Sequence, residues 1–273
     1  MNTSTKRVLG WGAALLAVLW AIVGLDLHEI RLDALGRSAS WFVQEAFPPD
    51  WSILPVAWDG FVETVQIALL ATLLGFALSL PLALASTTLL VPTWIAAPAR
   101  VAASAVRVLP SLLWAIIMVL LLGFGPLAGV AAMTAYTIGY LAKLQYEALE
   151  GLPRDALEAA RAAGLTRLQI GRHILLPSAG NALRSQALFM FEYNIRSSTI
   201  IGVVGAGGIG QLLALYLKFF QYDRVAAILL LMLAAVVVLD AASLLLRRRF
   251  VEHLDQAPRA RWREVLAGRR SEP

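Results

Sequence analysis

The chain of 273 residues contains no cysteine and only three histidines, His28, His173 and His253. Disulfides, thiolate catalysis and cysteine-ligated metal centres are therefore excluded. None of the histidines lies in an apolar segment, which argues against a histidine-based site inside a membrane. Charged residues are also scarce, at 15% of the chain, where soluble domains carry about a quarter.

Apolar residues are abundant instead. They make up 59% of the chain, and the mean hydropathy is +0.71, which is typical of proteins whose solvent is lipid. A spanning helix needs about 20 mostly apolar residues, because the hydrocarbon core is about 30 Å thick. Six such segments predict an all-α bundle of six transmembrane helices, at residues 8–25, 61–84, 102–122, 126–142, 183–204 and 225–246. The first is interpreted as a retained anchor, because its apolar stretch exceeds a signal-peptide core and no clear cleavage site follows.

The distribution of basic residues predicts the topology. Eighteen lysines and arginines, Arg107 among them, fall on one side of the spans, against four on the other: Arg31, Arg37, Lys218 and Arg224. Basic flanks stay in the cytoplasm, so both termini are expected there. This asymmetry also explains the net charge of +5 without a nucleic-acid partner. The basic segment 250–273 is predicted to be a cytoplasmic tail, with no function assigned.

The loop at residues 143–184 is predicted to be cytoplasmic and contains a short helix. Residues 154–163 are good helix formers, and Gly164 suits the end of that helix. A second helical stretch at 166–175 is expected to end at Pro177. Such short helices are marginal in water unless they pack against a partner. By propensity alone, the loop could equally be an amphipathic segment packed on its own membrane domain.

The residue pattern of this loop is more specific than its propensity. Glu158-Ala159-Ala160, Gly164, Ile174 and Leu176-Pro177 stand at spacings that resemble the EAA loop of ABC importer permeases. The resemblance implies that residues 156–164 form a coupling helix, which docks into a separate ATP-binding subunit. Its contact positions would be Ala156, Glu158, Ala159, Ala160 and Gly164. This chain has no GxxxxGK[ST] loop, so ATP and Mg²⁺ are expected on that partner, and the chain itself is expected to be neither an enzyme nor a cofactor or metal binder.

Three polar residues interrupt the fifth predicted span: Glu192, Asn194 and Arg196. Charged groups inside a span are costly and indicate function by default. Glu192 and Arg196 are four residues apart and share a helix face, whereas Asn194 points elsewhere. Glu192 and Arg196 could form a structural ion pair that joins spans, and Glu192 could orient Arg196 in that pair even if Arg196 also serves transport. Alternatively the three residues line a translocation pathway, in which the planar fork of Arg196 suits phosphoryl oxygens.

A glycine-rich run follows this span. Gly205, Gly207 and Gly210 spell GxGxxG, but no strand–turn–helix unit surrounds them, so a dinucleotide site is rejected. The whole run at 191–210 resembles the phosphonate branch of these permeases, the PhnE-like family. Further likeness lies in Pro48-Pro49-Asp50, Arg107-x-x-Pro110-Ser111-x-x-Trp114 and Gly123-x-Gly125-Pro126, so that it covers residues 47–249.

That resemblance implies a type I ABC importer permease of the bacterial inner membrane, with residues 1–249 as its domain. The implied partners are an ATP-binding subunit, a periplasmic phosphonate-binding protein, membrane lipid and a second copy of the chain. Phosphonate is the expected substrate, with phosphite or hypophosphite as the alternative. An ion-coupled carrier using Glu192 would not need the EAA loop, and an intramembrane enzyme lacks support because the chain has no HExxH motif.

Overall fold

The computed structural model describes residues 3–25, 32–152 and 154–247. The predicted tail at 250–273 lies outside them. The chain divides into two units, Met1–Pro48 and Pro49–Pro273. The described part of the first unit holds α1 (Thr3–Gly24) and α2 (Leu32–Ala46), and α2 leaves Trp41, Phe42 and Val43 exposed.

All regular secondary structure in the described residues of the second unit is helical. A 3-10 turn at Trp51–Ile53 leads into the first long helix, and the remaining helices follow in chain order: α3 (Leu54–Ser86), α4 (Thr93–Val108), α5 (Ser111–Leu122), α6 (Pro126–Glu150), α7 (Arg154–Ala162), α8 (Arg167–Ile170), α9 (Leu176–Gly202), α10 (Ile209–Lys218) and α11 (Tyr222–Arg247). α3 and α6 pack closely against each other along the centre, and α9 packs against both. The predicted all-α fold is confirmed.

Length and hydropathy support three or four spans among the described residues. Three continuous helical segments pass by themselves: Trp51–Ser86, Pro126–Glu150 and Tyr222–Leu245. The pair α4 and α5 passes when taken together. α9, which carries Glu192 and Arg196, is not among them, and α1 contributes only the shorter apolar stretch Gly10–Gly24. The count of six therefore stays a prediction.

The third predicted span, at residues 102–122, is not one continuous helix. α4 and α5 meet at an angle of 85°. Pro110 disfavours the helical conformation at Leu109, which is extended with φ −83° and ψ 123°. Pro110 also has no N–H to donate to the Val106 carbonyl, four residues earlier. The indole N–H of Trp114 donates to that carbonyl instead, at 3.1 Å. Counting apolar residues overlooked this break.

Pro177 does not end the second helical stretch of the loop, contrary to expectation. α8 runs into a π-helical turn at Gly171–Leu175, and α9 begins directly at Leu176 with Pro177 in its first turn. Proline is tolerated in a first helical turn, where its missing N–H has no partner to lose. The wider hydrogen-bonding pattern of the π-turn resets the register just before it. The loop therefore continues as helix into α9.

A polar cluster joins the start of α3 to the start of α11. The Asp50 carboxylate accepts hydrogen bonds from the Ser52 N–H at 2.9 Å and from Nε of Arg224 at 3.1 Å. Its own N–H donates to the Asp223 carbonyl at 3.2 Å. The hydrogen bonds from Ser52, and then the nearby Arg224, hold the pKa of Asp50 below its usual value of 3.8. The carboxylate therefore stays ionised and fixes this junction.

The glycine run forms a tight turn between α9 and α10. Gly205, Gly207 and Gly208 all have positive φ, of 91°, 83° and 75°, which glycine adopts without strain. The Thr64 hydroxyl of α3 accepts a hydrogen bond from the N–H of Ile209 at 2.9 Å. These contacts seat the turn on α3, so the glycines serve packing.

Candidate coupling helix and translocation face

α7 is an amphipathic helix that packs against the rest of the second unit through one of its faces. Leu157 and Ala160 are buried, at 3% and 6% exposure, in an apolar cluster with residues of α6 and α9 such as Leu149 and Leu183. Glu158 and Ala159 are exposed on the opposite face. A helix of nine residues is too short to be stable alone, so this packing holds it in place. One face is thereby left free for another molecule.

The C-terminal end of α7 is a Schellman motif. The N–H of Gly164 donates to the Arg161 carbonyl at 3.0 Å, and the N–H of Leu165 donates to the Ala160 carbonyl at 3.1 Å. Gly164 has φ 76°, a conformation that side-chain-bearing residues avoid. A Cβ added there would meet no atom within 4 Å. The backbone angle, rather than crowding, accounts for glycine at this position.

The structure separates four of the five predicted contact residues into two groups. Glu158 and Ala159 lie on the free face, where a partner can reach them. Ala160 packs inward and Gly164 ends the helix, so both position α7. Ala156 belongs to α7, but its side chain lies outside the described residues. A small groove of about 230 Å³ adjoins the free face and is lined by Leu89, Leu157, Glu158 and Arg161.

Next to α7, the carboxylate of Glu150 connects three helices. It accepts hydrogen bonds from Nη2 of Arg100 at 2.5 Å and from the N–H of Thr88 at 3.0 Å. Nε of Arg100 donates to the Ser86 carbonyl at 2.7 Å. The last residue of α6 is thus tied to α4 and to the end of α3. The network therefore fixes the end of α6 that leads to α7, while the apolar cluster packs α7 itself.

Glu192 and Arg196 lie together on α9 and face α11. The Arg196 guanidinium is 3.5 Å from the Asp240 carboxylate, and the Ser243 hydroxyl donates to Glu192. With Phe189 they line a cleft of about 280 Å³. Two carboxylates and one guanidinium leave this cleft without excess positive charge. The partner Asp240 was not part of the predicted site, although a lone aspartate in an apolar helix is itself a signal.

Asn194 is on the other side of α9 and is fully buried. Its amide nitrogen donates to the hydroxyls of Thr72 at 2.8 Å and Thr137 at 3.1 Å. The hydroxyl of Thr72 in turn donates to the Ala68 carbonyl at 2.7 Å. Asn194 therefore joins α9 to α3 and α6, and the structure does not bring it together with Glu192 and Arg196.

A group of aromatic side chains that sequence reasoning missed adjoins the face of α9 that carries Glu192 and Arg196. Tyr136 and Tyr140 of α6 stack with Tyr193, at centroid distances of 5.4 and 6.4 Å, and Phe189 stacks on Tyr140 at 6.2 Å. The guanidinium carbon of Arg107, at the end of α4, lies 5.8 Å from the Tyr140 ring centroid. Tyrosines at positions 136 and 140 share a helix face by spacing, which is a weak signal, and their meeting with α4 and α9 depends on packing.

Comparison with known proteins places this arrangement in a family. Residues 75–252 match the family model described as binding-protein-dependent transport system inner membrane component. The chain belongs to this family, and it is the membrane-spanning permease of an ABC importer in the inner membrane. Such a permease works with an ATPase and a substrate-binding protein.

Individual relatives extend this finding. The chain is 37% identical over 220 residues to the phosphite transport system permease protein PtxC of Stutzerimonas stutzeri, covering 80% of this chain and 79% of that one. It is 36% identical over 187 residues to the phosphate-import permease protein PhnE of Mycolicibacterium smegmatis, covering 67% of this chain and 35% of that one. Among solved structures, an inward-facing MetNI methionine ABC transporter chain matches with a TM-score of 0.63 and 25% identity, over 71% of this chain and 97% of that one. The expected permease fold is confirmed.

Proposed function

We propose that this permease imports phosphonates, with phosphite or hypophosphite as the alternative substrate. The support comes from relatives named for phosphite and phosphate transport, which match 80% and 67% of this chain, and from a relative named for phosphonate transport, which matches 36% of it. In the proposal, two copies of the chain pair in the membrane, both termini face the cytoplasm, and a periplasmic protein delivers the oxyanion. Opening and closing of the pathway is coupled to ATP hydrolysis in the partner subunit.

The observation that carries the coupling step is the free face of α7. Its buried residue Leu157 fixes the helix on the apolar cluster shared with α6 and α9, while Glu158 and Ala159 point outward. A partner that pushes on the free face therefore moves a rigid piece of the bundle rather than a flexible loop. This division between a packed face and a free face is what a coupling helix requires.

Reconstitution tests the substrate. The purified permease, its ATPase subunit and its binding protein are placed in liposomes, and uptake of labelled methylphosphonate, phosphite and hypophosphite is measured with ATP inside the vesicles. We expect ATP-dependent uptake of methylphosphonate, and light scattering should show two permease chains in each complex. Uptake of phosphite or hypophosphite alone would favour the alternative. Transport by the permease without the ATPase would contradict the proposal altogether.

Substitutions on the two faces of α7 test the coupling role. Ala159→Arg places a long charged side chain on the free face, so we expect loss of ATPase-subunit binding in pull-down assays, with the thermal stability of the permease unchanged. Gln211→Arg adds the same charge at an exposed position on α10 and serves as the matched control. Ala159→Arg that binds the ATPase subunit as well as the control does would rule out this face as the docking site.

A further inference from the structure

The positive charge available to an anion is unevenly distributed over the described helices. Arg196 is paired with Asp240 at 3.5 Å, Arg100 with Glu150 at 2.5 Å, and Arg224 with Asp50 at 3.1 Å. An arginine that faces a carboxylate has much of its attraction for a second anion cancelled. Arg196 has the further carboxylate of Glu192 in the same cleft. The predicted anion contact is therefore electrostatically weak.

Arg107 differs from these arginines. Its side chain is exposed, and no carboxylate within residues 3–25, 32–152 or 154–247 forms an ion pair with it. Its guanidinium carbon lies 5.8 Å from the centroid of the Tyr140 ring. A ring face attracts a cation without cancelling its charge as a carboxylate does. The guanidinium thus keeps its planar set of donors for an oxyanion.

The surroundings of Arg107 supply further donors. Tyr136, Tyr140 and Tyr193 are half-buried and stacked nearly parallel, with interplanar angles of 15° for Tyr136 on Tyr193 and 10° for Tyr140 on Tyr193. Each phenol hydroxyl can donate a hydrogen bond. Hydrogen bonds to a charged acceptor are about twice as strong as those between neutral groups. Stacked rings also present flat apolar surface to an organic substituent.

The aromatic group is continuous with the Arg196 cleft. Phe189, Tyr193 and Arg196 are spaced by four and three residues, so they lie on one face of α9. Phe189 belongs both to the aromatic stack and to the lining of the cleft. The face of α9 opposite the buried Asn194 therefore runs from α11, through Arg196, to Arg107 and the tyrosines.

We propose that Arg107, Tyr136, Tyr140 and Tyr193 bind the phosphorus oxyanion on its way through the membrane. This inference rests on the proposed function. Arg107 supplies the attracting charge, and the three hydroxyls donate to the oxyanion oxygens. The paired Arg196 is then a neighbouring positioning group rather than the main anion contact. Charged rings of arginine or lysine are a general means of anion selection in pores.

The test uses the full complex in liposomes, with methylphosphonate and phosphite as probes. We expect Arg107→Gln to lower uptake of both at least about tenfold, as for loss of a charged hydrogen bond, and Arg107→Lys to retain part of it. Assembly with the ATPase subunit should be unchanged. Arg7→Gln, which removes one exposed positive charge from α1, is the matched control.

A second variant separates binding from packing. Replacing Tyr136, Tyr140 and Tyr193 together by phenylalanine keeps the stacked rings and removes only the hydroxyls, so uptake should also fall about tenfold or more. Uptake by this variant at the wild-type rate would overturn the inference, as would normal uptake by an assembled Arg107→Gln complex. Wild-type complexes that transport no phosphorus oxyanion would instead refute the proposed function, which keeps the two failures distinguishable.

Discussion

Replacing Asn194 by alanine should destabilise the bundle rather than alter substrate selection. The amide donates two interhelical hydrogen bonds, to Thr72 and Thr137, and the side chain is fully buried. Interhelical hydrogen bonds in membrane proteins contribute about 0.6 kcal/mol on average and up to about 1.7 kcal/mol. Two of them therefore give a loss of about 1–3 kcal/mol. The Thr72 hydroxyl keeps the Ala68 carbonyl as its acceptor, which keeps the loss within this range.

The assay is the free energy of unfolding of the purified chain, measured by titration with sodium dodecyl sulfate in mixed micelles. Gln211→Ala is the matched control, because it truncates an exposed amide and should change stability by less than about 0.5 kcal/mol. A change equally small for Asn194→Ala would refute the reasoning. Reduced uptake by a variant of unchanged stability would instead support the earlier prediction that Asn194 lines the pathway.

Three further outcomes are expected. Trp114→Phe removes the donor to the Val106 carbonyl, so the free energy of unfolding should fall by about 1–3 kcal/mol, measured by the same titration. Gly164→Ala forces a side chain into the left-handed conformation and should lower the helicity and stability of the α7 segment by about 1 kcal/mol, as read by hydrogen exchange. Because the folded-state pKa of Asp50 is lowered, its carboxylate stabilises the fold above the unfolded-state pKa near 3.8, and this stabilisation is lost as the pH falls through the folded-state pKa. Asp50→Asn should therefore flatten the decline of the unfolding temperature in acid. An unchanged decline would contradict this reasoning.

Local features of the coupling segment could be predicted from the sequence because their causes are local. Helix propensity and the glycine placed α7 at 154–163 with its end at Gly164, and the helix runs from Arg154 to Ala162. The prediction that Pro177 ends a helix was wrong, because a π-helical turn before it shifts the register and places Pro177 in the first turn of α9. Such a shift depends on the hydrogen bonds of neighbouring residues and not on one residue type. The break at Pro110 could be predicted from the proline, which disfavours a helical conformation at Leu109. Counting only the apolar residues of the segment concealed it.

The partners of polar residues could not be predicted in the same way. Four-residue spacing placed Glu192 and Arg196 on one face, but Asp240 comes from a helix 44 residues further along the chain. Asn194 has partners 122 and 57 residues away. Arg107 was grouped with the cytoplasmic basic residues by its charge, whereas packing of α4 on α6 sets it against Tyr140. Contacts of this kind depend on which helices pack against each other, and the sequence of a single segment does not specify its neighbours.

The bend between α4 and α5 has a consequence for motion. The carbonyl that Pro110 leaves without a partner is satisfied by Trp114 of the same helix pair, so the angle is stabilised within one short stretch of chain. A joint of this kind resists straightening, because opening it would expose an unsatisfied carbonyl in apolar surroundings. During a transport cycle, α4 and α5 should therefore move together as one rigid body, with the angle between them unchanged. Rearrangement must then occur by sliding at its contacts with α6, where Gly139 lets Val106 approach closely.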